Sequence, residues 1–253
     1  MMHWFRKDIR KILPPPFQAR HSEYSMIFSL DDDVSRPSDR LISVALEAIG
    51  KAREVDLEDL CRRIKNPPFY PNVWPGEHYK LLAGLVLALK PRQVVEVGTS
   101  MGLSALVMKK YLPPDSRLLT FDIQDWKSHP DYALKREDFA DGRLVQFLDD
   151  LSDPDICRKY GDLLKQAQLI CIDAAKDGVG ERKFLENFGR VPLREGSLLV
   201  LDDIRLWNML KIWREVPLPK LDLTSFGHWS GTGLVEWTPT PLAQESFPGK
   251  KNG

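Results

Sequence analysis

The sequence predicts an α/β fold: a mostly parallel sheet with helices on both faces, finished by an antiparallel hairpin. Three observations predict it. From Gln93 onward, short apolar runs alternate with segments of helical periodicity about a dozen residues long, the pattern of βαβ units. Those runs are apolar at successive positions rather than alternate ones, as strands covered on both faces require. The last two runs are separated only by Gly227 to Thr232, and a parallel crossover needs a far longer connection.

The elements follow in order. Trp4 to Leu13 reads as a short amphipathic helix stopped by Pro14-Pro15-Pro16, and Asp31-Asp32-Asp33 with Ser-Arg-Pro-Ser reads as a loop. Ser38 is placed to cap a helix through Ile42, Val44, Ala45, Leu46 and Ile49, ending near Gly50. A helix from Leu57 to Ile64 precedes a breaker, Asn66-Pro67-Pro68. Residues 1–75 thus read as an extension, expected to pack on a main domain of 76–238 and to roof its site, with an exposed tail over 239–253. In the main domain, helix Tyr79 to Leu89 leads into strand Gln93 to Val97, helix Leu103 to Tyr111 and strand Arg117 to Asp122. Strands Leu144 to Leu148, Leu169 to Asp173 and Ser197 to Asp202 follow. Helix Leu206 to Glu215 and strands Leu221 to Phe226 and Gly233 to Trp237 complete a sheet of seven.

Bulk properties narrow the function. The 253 residues suffice for one α/β domain with a sizeable core. Lys+Arg 36 against Asp+Glu 36 gives no basic excess, which argues against a nucleic-acid partner. Cys61, Cys157 and Cys171 form no CxxC pair and no disulfide framework, as expected in a reducing cytoplasm, and Cys171 lies in an apolar run as a small hydrophobe. No segment approaches the roughly 20 apolar residues of a membrane span. No Cys/His group has zinc-ligand spacing, and neither a nucleophile elbow nor a P-loop Lys is present.

Ligands of open α/β sheets bind at the carboxyl ends of the strands, so chemistry is sought there. The first strand ends in Glu96-Val97-Gly98-Thr99-Ser100-Met101-Gly102-Leu103-Ser104, an E-x-G-x-x-x-G turn without the three-glycine spacing of dinucleotide binders. The second ends at Asp122, placed either to accept from ribose hydroxyls or to cap a turn. The third ends at Asp149-Asp150. The fourth runs into Asp173-Ala174-Ala175-Lys176-Asp177 and the fifth into Asp202-Asp203. Asp173, Asp202 and Asp203 are thereby gathered at adjacent strand ends, where mutual repulsion raises their pKa values unless a hard divalent cation such as Mg²⁺ balances them. The other readings of these acids are caps, or a seat for a substrate amine.

These motifs, with the terminal hairpin, resemble class I S-adenosylmethionine-dependent methyltransferases of Rossmann-like fold. The likeness spans about residues 70 to 237. An Asp followed by a nearby Lys after the fourth strand is similar to the metal-dependent O-methyltransferases of the catechol and caffeoyl-CoA type. Their fifth strand ends in Asp-Asn where this chain has Asp202-Asp203, and the macrocin type, with acidic pairs at the metal, is more similar at that point. The resemblance implies S-adenosylmethionine held by Glu96, Gly98, Thr99, Ser100, Gly102, Ser104, Asp122, Asp149 or Asp150, and Asp173. It implies Mg²⁺ on Asp173, Asp202 and Asp203, and a hydroxylated small acceptor such as a sugar or phenol. Lys176 resembles the catalytic base, with a pKa expected to fall beside the metal; its other reading is a loop lysine paired with Asp177. His228 is an alternative base or a turn residue, and His78 a candidate lining residue of the cofactor pocket. Trp207, Trp213, Trp229 and Trp237 read as core or pocket wall. A metal-independent N- or O-methyltransferase and a catalytically silent S-adenosylmethionine-binding module are the alternatives. The Trp4-Phe5 helix is a candidate contact between two copies of the chain.

Overall fold

The computed structural model describes residues 36–64 and 77–238. The expected helix at Trp4, the loop at Asp31, both proline breakers and the terminal tail lie outside those residues. Seven strands form one sheet: β1 (Gln93–Val97), β2 (Arg117–Phe121), β3 (Leu144–Phe147), β4 (Leu169–Ile172), β5 (Leu198–Asp202), β6 (Lys220–Asp222) and β7 (Thr232–Glu236). Their order is β3-β2-β1-β4-β5-β7-β6. β1 to β5 pair in parallel, and β7 runs antiparallel between β5 and β6.

Every residue of β1, β4, β5 and β7 is buried, which is why those runs carry no polar alternation. Successive side chains feed two separate cores. Val94, Leu118, Leu169, Cys171, Leu198 and Val200 join one layer; Val95, Leu119, Ile170, Ile172, Leu199 and Leu201 join the other. The first layer is covered by α1 (Asp39–Ala52), α2 (Glu58–Cys61), α3 (His78–Leu89) and α4 (Leu103–Tyr111). The second is covered by α5 (Pro154–Lys159), α6 (Gly161–Leu164), α7 (Gly180–Arg190) and α8 (Met209–Glu215). Cys171 is buried as expected, its sulfur against Met108.

Local chemistry sets the ends of these elements. Ser38 caps α1 by accepting from the Leu41 amide at 3.0 Å, with Asp39 in the first turn and Lys51 in the last complementing the dipole. Asp153 caps α5 through the Asp155 and Ile156 amides, with Pro154 at the first helical position.

Several boundaries differ from the sequence expectation. The helix expected over Leu57–Ile64 is the single turn α2, followed by a hydrogen-bonded turn, with Leu60 and Ile64 buried. The helix expected from Leu206 begins at Met209, because Trp207 adopts φ 47, outside helical space. The strand expected over Leu221–Phe226 ends at Asp222, where the Leu223 carbonyl accepts from the Phe226 and Gly227 amides and closes a turn. Trp213 and Trp237 are core residues, whereas Trp229 is 59% exposed and belongs to no core.

Candidate functional site

Three backbone hydrogen bonds align the strand ends. The Gly98 amide donates to the Phe121 carbonyl at 2.8 Å, the Asp173 amide to Val97 at 2.8 Å, and the Asp122 amide to Phe147 at 3.1 Å. The chain order reverses between β1 and β4, so a crevice opens beyond their carboxyl ends. Gly98 makes this close fit possible. It sits at φ +101, and a Cβ there would stand 1.9 Å from the Asp173 carbonyl oxygen.

The turn after β1 is braced from beneath. Glu96 is buried and accepts from Ser104 Oγ at 2.5 Å and Thr120 Oγ1 at 2.6 Å, and Thr120 shares a 2.7 Å bond with Thr99 Oγ1. Burial pushes the Glu96 carboxyl up to about 7, against the lowering effect of the two hydroxyls. Glu96 and Thr99 therefore turn their side chains into the protein, while Gly98 is half-buried and Ser100 is exposed. Ser100 takes φ 46, and its amide donates to Asp122 Oδ2 at 2.9 Å; Gly102, at φ +79, opens α4. The other Asp122 oxygen accepts from Gln124. Asp149 accepts from Lys159 at 3.0 Å and from the Tyr160 hydroxyl, and Asp150 accepts from the Ser152 amide and hydroxyl. Beside these acids, Ile123 is 71% exposed and Leu148 56%. Exposed apolar faces next to carboxylates suit an adenosine, whose base is flat and apolar and whose sugar offers hydroxyls. The residues fit the cofactor group.

The acidic cluster forms as anticipated. One carboxylate oxygen from each of Asp173, Asp202 and Asp203 lies within 4.8 Å of the others. Lys176 Nζ stands among them, 2.8 Å from Asp173, 3.0 Å from Asp203 and 3.5 Å from Asp202. Three carboxylates face one ammonium, so the donor set is net negative and all oxygen, as a hard cation prefers. These residues also fit a divalent ion.

The environment of Lys176 is set by the acids around it. Burial disfavours its charge, yet the three carboxylates outweigh burial and raise its pKa. Its alternative reading, a loop lysine paired with Asp177, is not what forms: Asp177 Oδ1 accepts from the Val179 and Gly180 amides at 2.8 Å each. The loop bearing it is strained, with Ala175 at φ 52 and Lys176 at φ 62. Glu181 holds that loop: it is fully buried and accepts from the Lys176 amide at 2.6 Å and the Gly178 amide at 3.0 Å. Sequence reasoning missed Glu181; its signal is an acid in the first turn of a helix, next to Gly178 and Gly180.

His228 reaches the cluster from the β6–β7 connection. Its Nε2 lies 2.6 Å from Asp202 Oδ1 and its Nδ1 2.6 Å from Ser230 Oγ. Burial opposes its charge, but the Asp202 hydrogen bond and the neighbouring acids raise its pKa. His78, from the start of α3, lies 3.7 Å from Asp202 Oδ1 and 3.3 Å from Thr232 Oγ1; burial lowers its pKa to about 4. Burial would raise the Asp202 carboxyl, but His78, Lys176 and His228 hold it well below the usual carboxylate range. Ser230 and Thr232, which orient the two imidazoles, carried no distinctive signal in the sequence.

The described N-terminal residues bond several places on the main domain, Arg63 pairing with Asp138 at 2.7 Å. Ser38 and Arg40 bond Glu236, which pairs with Leu198 at the start of β5, and Asp56 and Asp59 bond Tyr111 and Lys110 at the far end of α4.

An O-methyltransferase family model matches residues 52–215. The chain belongs to the O-methyltransferase family. Catechol O-methyltransferase B of Danio rerio is 30% identical over 132 residues, 49% of this chain and 47% of the relative. Catechol O-methyltransferase of Mus musculus is 28% identical over 134 residues, with the same shares. The chain thus spans about half the length of the curated relatives it matches. Among solved structures, a Klebsiella pneumoniae protein with a provisional O-methyltransferase assignment is 21% identical, with a TM-score of 0.48, over 75% of this chain and 89% of that one. The MycE methyltransferase of the mycinamycin pathway, solved with Mg and SAH, is 19% identical, with a TM-score of 0.43, over 59% of this chain and 40% of its own. The family match covers β1 to β5 and all of Asp173, Lys176, Asp202 and Asp203. No described helix is long and apolar enough to cross a membrane.

Proposed function

We propose that the chain is an S-adenosylmethionine-dependent O-methyltransferase acting on a hydroxyl of a small molecule, with a divalent cation such as Mg²⁺ at Asp173, Asp202 and Asp203. The observation that carries this reading is Lys176 among three carboxylates, at strand ends adjoining the Gly98 turn. When bound, the cofactor supplies an electrophilic methyl group and the cation acidifies and orients the acceptor hydroxyl. The chain's own residues set the stage for both. Gly98, Ser100, Gly102 and the braced residues Glu96, Thr99 and Ser104 shape the turn that cradles the methionine portion. Asp122 would accept from the ribose, and Asp149 or Asp150 from the adenine amine, beside the exposed Ile123 and Leu148.

Lys176 and the cation compete for the same three acids. With those acids engaged elsewhere, the field that raises the Lys176 pKa weakens, and its amine becomes able to take the acceptor proton. His228 is the other base within reach of Asp202. A second reading, transfer without a metal, is favoured by the same contact, since the Lys176 ammonium already balances part of the acidic charge.

Calorimetric titration of S-adenosylhomocysteine, first with Mg²⁺ and then with EDTA, tests the cofactor. Stoichiometric binding is expected in both conditions, and its absence in both overturns the methyltransferase reading. Turnover of hydroxylated acceptors that survives exhaustive EDTA treatment decides for the metal-free route.

A further inference from the structure

Asp202 divides its two oxygens between two groups of donors. Oδ2 faces Lys176, on the side of Asp173 and Asp203. Oδ1 faces the imidazoles, with His228 Nε2 at 2.6 Å and His78 Nδ1 at 3.7 Å. The two rings meet edge to face, their centroids 4.5 Å apart and their planes at 88°. One ligand atom from each of the three residues lies within 4.8 Å of the others. Each residue is 7% exposed, so the group is enclosed without being sealed.

We propose that His78, His228 and Asp202 form a second cation site, suited to a borderline first-row transition ion such as Zn²⁺ or Co²⁺ and sharing Asp202 with the carboxylate site. Two imidazole nitrogens and one carboxylate are a donor set such ions accept and Mg²⁺ does not favour. An ion about 2.0–2.1 Å from each nitrogen and oxygen needs donors a little over 3 Å apart. The short His228 contact opens and the longer His78 contact closes to reach that spacing, both by less than about an ångström. Ser230 Oγ, 2.6 Å from His228 Nδ1, accepts its proton there and leaves Nε2 as the ligand atom, the outer-shell pattern of metal-bound histidines. The three ligands come from the start of α3, the end of β5 and the β6–β7 connection. No short spacing motif links them, so the sequence alone reads as lacking a zinc site. The site needs no assumption about methyl transfer, and the competing explanation is that the imidazoles only bolt α3 and the hairpin to β5.

The test is titration of Co²⁺ into the metal-free full chain in excess Mg²⁺, followed by visible absorption. One Co²⁺ per chain is expected, with the intense bands of nitrogen ligation at low coordination number. His78→Gln and His228→Gln should each weaken binding on the order of 100-fold, while Asp173→Asn leaves it nearly unchanged. No Co²⁺ binding, binding indifferent to both histidine variants, or binding abolished by Asp173→Asn would each overturn the site. Should a variant fail to fold, histidine NMR of the wild-type chain decides the question. Zn²⁺ should shift the His78 and His228 resonances and leave His3, His21 and His129 in place, and unshifted His78 and His228 signals overturn the proposal.

Discussion

The two rims of the sheet are made from the same strands and differ in how they treat charge and backbone. At the carboxyl rim, Asp173, Asp202 and Asp203 crowd around one ammonium, and Ser100, Ala175, Lys176, Asp203 and Trp207 all hold positive φ. At the amino rim, polar groups pair in ordinary ways. Gln93 accepts from Arg117 at 2.7 Å, the Arg92 amide donates to Gln168 at 2.6 Å, and Ser197 Oγ donates to the Ala167 carbonyl at 2.7 Å. Lys90, the one positive-φ residue other than glycine at that rim among those described, ends α3 in the left-handed conformation common to helix ends. Strain and unbalanced charge persist only where surrounding structure enforces them, and here they collect at one rim. That rim is where chemistry is expected.

Removing Asp202 should break this contrast most severely. Asp202→Asn leaves two buried imidazoles and Lys176 without their shared partner. It should cost on the order of 3 kcal/mol in urea unfolding and lower methyl transfer about 100-fold or more. Unchanged unfolding would mean that the carboxyl rim is no more consequential than its opposite. Gly98→Ala comes next, because a side chain at φ +101 also collides with the Asp173 carbonyl; a loss of about 3 kcal/mol is expected in the same measurement.

The pH dependence of stability separates the rims more gently. The folded Glu96 carboxyl titrates at about 7 rather than 4.5, so the folded state retains a proton that the unfolded chain releases. Stability is therefore expected to fall by roughly 2–3 kcal/mol as pH rises from 4.5 to 7. Glu96→Gln should flatten that slope, read from unfolding midpoints at about pH 5 and pH 8; an equally steep slope in the variant assigns it elsewhere. The smallest effect belongs to the amino rim. Arg40→Ala removes a half-exposed partner of Glu236 and should cost less than about 1 kcal/mol. Affinity for S-adenosylhomocysteine should stay unchanged, and a weakened affinity would show that the two rims are coupled.

The sequence made the sheet legible because buried parallel strands are apolar at every position. Gln93–Val97 and Leu103–Tyr111 were delimited to the residue, and the hairpin followed from the shortness of one connection. The strand-end acids were legible for a related reason: ligands of such sheets bind where the strands end, so Asp122, Asp173 and Asp202, at or just past the last strand residue, could be placed by counting. What counting could not supply was the direction of each side chain. Asp202 and Asp203 are adjacent and chemically identical, yet backbone geometry sends Asp202 to the two histidines and puts Asp203 at φ 57 beside Lys176. Glu96 stood in the expected motif and turned out to be buried among hydroxyls, while Glu181, outside any motif, holds the Lys176 loop. Fold class and the neighbourhood of the site were determined by local periodicity and strand length, which the sequence carries residue by residue. The union of positions 78, 202 and 228, and the protonation that follows from it, was decided by tertiary structure alone. Electrostatic environment depends on distance through space, and three segments far apart in the chain become neighbours only when the sheet and its hairpin close.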